Sequence, residues 1–77
     1  MKKNIRVNVK DVLGDNTYDL QVDFQNADNS LIGSIVDLSD NTVVVGDRYE
    51  SLKRLIDYYF FPGAYPDIDC EVSVSYI

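Results

Sequence analysis

Asp67, Asp69 and Glu71 place three carboxylates at alternate positions near the end of the chain, a short way after Asp57. Paired carboxylates can serve as general acid and base, but only where a pocket keeps one protonated and the other ionised. A sheet carrying a single helix rarely encloses such a pocket. Other catalytic routes are thinner still. There is no His and one Cys, so neither a Ser–His nor a Cys–His nucleophile pair can be assembled. Cys70 falls on the apolar side of an alternating segment and reads as a buried structural thiol. These residues predict a protein that is not an enzyme and uses no cofactor.

Oxygen-rich loops are the better use of Asp. Asp37-Leu38-Ser39-Asp40-Asn41 has the composition of a hard-cation loop. It fails as a helix-loop-helix calcium site, because its sixth position is Thr42 rather than Gly and its twelfth is Arg48 rather than a bidentate acid. Turn formation accounts for Asp40 and Asn41 without a metal, and no metal site is predicted. The four Gly are scattered, so no glycine-rich phosphate cradle exists.

The remaining signals concern surfaces. Thirteen acids, eleven of them Asp, stand against seven basic groups, for a net charge of −6. This argues against direct nucleic-acid binding. Four of the basic groups, Lys2, Lys3, Arg6 and Lys10, fall within the first ten residues, too few for a DNA footprint. Asp57, Asp67, Asp69 and Glu71 have no obvious structural task, and they flank an aromatic segment. Of that segment, Phe60 belongs to a helical stripe, whereas Tyr58, Phe61 and Tyr65 are not required by it. Aromatic side chains favour interface cores. The set Asp57, Tyr58, Phe61, Tyr65, Asp67, Asp69 and Glu71 is therefore the expected partner-binding site.

Carboxylates on alternate or adjacent strands approach the spacing of neighbouring DNA phosphates. In size and charge, though in no motif, the chain is similar to the DNA mimics and anti-defence inhibitors of phages and mobile elements. The function expected is an inhibitor or adaptor that contacts a protein with a basic, nucleic-acid-binding surface. The alternative is a structural module, a homodimer formed through strand edges or an apolar face such as the valines at 43–45 with Ile77.

The elements that must position these residues are legible from periodicity. Ile5, Val7 and Val9 alternate with polar residues, as do Tyr18, Leu20, Val22 and Phe24, which predicts two half-buried strands. A turn at Leu13-Gly14-Asp15-Asn16 joins them. Pairing Val9 with Leu20, Val7 with Val22 and Ile5 with Phe24 sets Lys10 across from Asp19 and Arg6 across from Asp23. Turns follow at residues 26–30 and 39–41, with Asp28 and Asp40 as turn formers. Between them the alternation of residues 31–38 breaks at Gly33, which predicts a bulge. A short strand, Thr42–Val45, completes a meander. Asp47 as N-cap with Glu50 predicts a helix. Its apolar stripe is Tyr49, Leu52, Leu55, Ile56, Tyr59 and Phe60, with a Glu50–Arg54 pair outside and Pro62-Gly63 as the stop. Ile68, Cys70, Val72, Val74 and Tyr76 alternate as a last strand. The fold class is α+β: an antiparallel sheet of about five strands, in order ββββαβ, with one amphipathic helix on one face.

The 77 residues suffice for one domain, 1–77. No apolar run follows Met1-Lys2-Lys3-Asn4, so no signal peptide is expected, and no segment suits a membrane span. A single Cys suits a reducing, cytoplasmic location. The initiating Met and compact pattern suggest a complete gene product.

Overall fold

A computed structural model describes all residues, 1–77. Three strands come first: β1 (Lys2–Asp11), β2 (Gly14–Phe24) and β3 (Ile32–Asp37). A two-residue β4 (Thr42–Val43), a helix α1 (Gly46–Phe60), a 3-10 turn at Pro62–Ala64 and β5 (Glu71–Tyr76) follow. The strands form one five-stranded sheet in the order β4-β3-β2-β1-β5, every neighbour antiparallel. The helix packs across one face and contacts β5. Period-two patterning does this directly: Ile5, Val7 and Val9 meet Leu20, Val22 and Phe24 under Leu52 and Ile56, with Ile32, Ile35 and Val44 closing the side.

The hairpin register differs from the sequence expectation. Ile5 opposes Leu20, not Phe24, and Val7 and Val9 oppose Tyr18 and Asn16. The turn is only Val12-Leu13, because Asp11 and Gly14 already pair. Neither central residue has a positive φ, which excludes the primed and type II turns. Asp in first place and Gly in fourth suit type I. The Asp11 carboxylate also accepts the Leu13 N–H at 2.8 Å. The shift is even, so both apolar faces stay inward. It changes the charge partners: Lys2, Arg6 and Lys10 oppose Asp23, Asp19 and Asp15. Arg6 binds Asp19 through two hydrogen bonds of 2.8 and 3.1 Å. Asp15, expected in the turn, is a strand residue.

The bulge falls where Gly33 indicated. Ile32 opposes Phe24 and Ile35 opposes Val22, so β3 spends three residues where β2 uses two. A Cβ at Gly33 would sit 2.4 Å from the Gln25 side-chain nitrogen and 3.2 Å from the Asp23 carbonyl oxygen. The Gln25 amide can swing away; the carbonyl cannot. Gly33→Ala is therefore expected to cost about 1–2 kcal/mol in urea unfolding.

Five local expectations fail. Val45 occupies the N-cap with no side-chain cap bond, so Asp47 acts only through its charge in the first turn. The Glu50–Arg54 pair does not form, because Arg54 binds Asp67 instead. The fourth strand is only Thr42–Val43, although the Val44 N–H still donates to the Ile35 carbonyl at 2.9 Å and its side chain enters the core while Val45 faces out. Cys70 is half-buried against the core rather than enclosed. Tyr59 leaves the buried stripe and lays its ring edge-on to Phe60 at 5.0 Å.

Candidate functional site

After α1 the chain doubles back. The Phe61 N–H donates to the Asp57 carbonyl at 2.7 Å, and the Tyr65 N–H to the Pro62 carbonyl at 3.1 Å. The Tyr65 hydroxyl then donates to the Asp57 carboxylate at 3.2 Å. Arg54 stacks its guanidinium over the Tyr65 ring at 5.4 Å and donates to Asp67. Arg54 thus ties two side chains of the expected site, Tyr65 and Asp67, to the helix, and Tyr65 is tied to it a second time through Asp57. Burial pushes the Asp57 carboxyl up, against the opposing Tyr65 hydrogen bond and Lys53 charge. Burial and then the Asp57 charge push the Tyr65 hydroxyl up. Phe61 is partly exposed beside Asp57, Ala64, Tyr65 and Ser30. Tyr58 is half-buried on the helix.

Asp69 and Glu71 do not join this group. The chain carries them to the far end of the sheet, into a shallow hollow shared with Lys10, Asp11 and Val12. Lys10 lies between two acids, opposing Glu71 on one side and Asp15 on the other. Nearness in sequence suggested one cluster, whereas the fold makes two. The second cluster surrounds the hairpin tip, where Val12 is fully exposed and Leu13 is 94% exposed. Sequence reasoning passed over these two. The signal available was Asp-Val-Leu-Gly itself: a turn whose central residues are apolar has nowhere to bury them.

Most acids have structural partners, which separates the remainder. Asp11, Asp28, Asp37 and Asp40 each accept the backbone N–H two residues on, at 2.8, 3.0, 2.9 and 3.2 Å. Only a short carboxylate reaches that N–H, which explains the preference for Asp over Glu. Asp19, Asp23, Asp37 and Asp67 pair with Arg6, the Met1 amine, Arg48 and Arg54. Asp15, Asp47, Glu50, Asp69 and Glu71 have neither a hydrogen-bonded nor an ion-paired partner. Three of those five, with Asp11, surround the Val12-Leu13 tip.

No group of His, Cys, Asp and Glu side chains is arranged to hold a metal ion, and no helix is long and apolar enough to cross a membrane. Comparison with protein-family models, curated proteins and solved structures finds no match.

Proposed function

We propose that this chain is a small acidic protein-binding module, an inhibitor or adaptor without catalytic activity. It inserts the Val12-Leu13 tip into an apolar recess on a basic partner surface. The observation that carries the reading is two adjacent, fully exposed apolar side chains on a tightly hydrogen-bonded hairpin, set among four carboxylates. Apolar anchors supply affinity once desolvated. The carboxylates at Asp11, Asp15, Asp69 and Glu71 supply orientation and association rate. A partner whose basic groove normally holds nucleic acid fits this chemistry, since carboxylates there stand in for phosphates. Asp57, Tyr65 and Asp67 hold the helix-end loop in shape in this reading, with Phe61 as a secondary contact beside Tyr58.

Affinity capture from the native host, followed by binding kinetics on the captured protein, tests this. Val12→Ser with Leu13→Ser is expected to weaken binding by about ten- to a hundredfold, mainly in the off-rate. Asp69→Asn with Glu71→Gln is expected to slow association and flatten its salt dependence. A partner that binds all variants equally would overturn the assignment of the tip.

A further inference from the structure

The two edges of the sheet are unequal. β4 is two residues long and runs directly into the helix, whereas β5 offers six residues along a free edge. The Ile77 N–H donates to the Asn4 carbonyl at 3.0 Å. Hydrogen bonding alternates along an antiparallel pair, so the odd residues of β5 bond to β1. Val72, Val74 and Tyr76 therefore direct their N–H and C=O groups away from the sheet. Edges of this kind are ordinarily guarded by Lys, Pro, a bulge or extreme shortness. β5 has none of these. Its register with β1 is unbroken, and its only charge is Glu71, at one end. On the helix side, Val72 and Val74 are half-buried and Tyr76 is 61% exposed.

We infer that β5 pairs antiparallel with β5 of a second copy, about a two-fold axis through Val74. In this register Val74 faces Val74 of the second copy, and Val72 faces its Tyr76. All the outward backbone groups of Val72, Val74 and Tyr76 then find partners, and every apolar side chain of the edge meets another. Sliding by two residues either way carries a residue past the end of the opposing strand and leaves its groups unpaired. The two-fold also separates the Glu71 side chains, six positions apart at about 3.4 Å each, or about 20 Å. That is well beyond the Debye length of about 8 Å at physiological salt. Both helices lie on the same face of the continuous sheet. The hairpin tips stay exposed at opposite ends, so the inference is independent of the partner reading above.

Each copy carries a net charge of −6, so salt is expected to strengthen self-association while weakening capture of a basic partner. Sedimentation of the full chain over a range of concentrations at low and high salt should show a monomer–dimer equilibrium that shifts toward dimer with salt. Amide exchange followed by NMR should show concentration-dependent protection at Val72, Val74 and Tyr76. Val74→Pro removes an outward N–H and none of the bonds to β1, which an edge strand tolerates, and should weaken the dimer by about tenfold or more. Should that variant fail to fold by circular dichroism, exchange on the unaltered chain decides alone. A monomer at every concentration, or a dimer in which those three amides still exchange freely, would overturn the inference.

Discussion

Phe24→Ala is expected to remove about 3–5 kcal/mol of stability, the usual cost of emptying a buried aromatic site. Domains hold about 0.05–0.15 kcal/mol per residue, or about 4–12 kcal/mol for 77 residues, so the variant should lose from about a quarter to all of the stability such a domain holds. The size of the effect follows from what the ring joins. Phe24 ends β2, is fully buried and opposes Ile32 at the bulge. Phe60, on the last turn of α1, meets it edge-on at 5.9 Å. The Lys3 ammonium also approaches the ring, at 5.5 Å. That ammonium is also held 2.8 Å from the side-chain oxygen of Asn29, the one buried residue of the loop after β2. Sheet and helix end therefore meet on this ring, and the loop reaches it through Lys3. Val12→Ala, fully exposed, is the matched control and should change stability by no more than about 0.5 kcal/mol. Urea unfolding followed by circular dichroism measures both; comparable losses would refute the account of the core.

What could be read before the fold was known divides along physical lines. Alternation gives faces, so the inward residues of β1 and β2 were legible. It does not give register, because any even shift keeps the same faces. Charge pairing left the same ambiguity: Lys10–Asp19 with Arg6–Asp23 is as sensible locally as the observed set. The observed register opposes three pairs instead of two, and it agrees with Asp11 and Gly14 as turn ends; both clues lay in the sequence. Gly33 marked the bulge because a missing side chain within an apolar run has few other causes. The helix stripe was legible and its cap was not, since Gly46, at φ +67°, moves the start ahead of Asp47. The candidate site was the least legible part. Asp57, Asp67, Asp69 and Glu71 are neighbours in sequence, but the partner that holds Asp67 lies across the loop on α1. A side chain reaching across a tertiary contact leaves no local pattern.

Asp37 illustrates the same limit and carries the second large effect. Its position suggested a turn or cation loop, yet the bulge at Gly33 reverses the parity of β3 and turns Asp37 inward with Ile35. The residue is only 7% exposed. Its carboxylate accepts from Arg48, and from both the hydroxyl and the N–H of Ser39 at 2.7 and 2.9 Å. Arg48 first, then Ser39, lower the carboxyl to about 2 despite the opposing cost of burial. Asp37→Ala should cost about 2–3 kcal/mol, since it leaves Arg48 and the Ser39 N–H without their acceptor. Arg48 is half exposed, so it can turn to water, which keeps the loss below that of a fully enclosed pair. Asp37→Asn retains a turn acceptor and should cost about half as much. The pH dependence separates charge from packing. The folded carboxyl titrates below an unfolded one near 3.9, so between those values the unfolded chain binds more protons. The stabilisation is complete above about pH 5 and fades as pH falls toward 2. Asp57, raised by burial, works in the opposite sense, because acid relieves its desolvation. Wild-type and Asp37→Asn stabilities should therefore differ at pH 7 and converge near pH 2, with Asp57→Asn leaving that convergence intact. A difference between wild type and Asp37→Asn that stays constant from pH 7 to pH 2 would mean that shape and hydrogen bonding at Asp37, rather than its charge against Arg48, hold the β3 turn to the start of the helix.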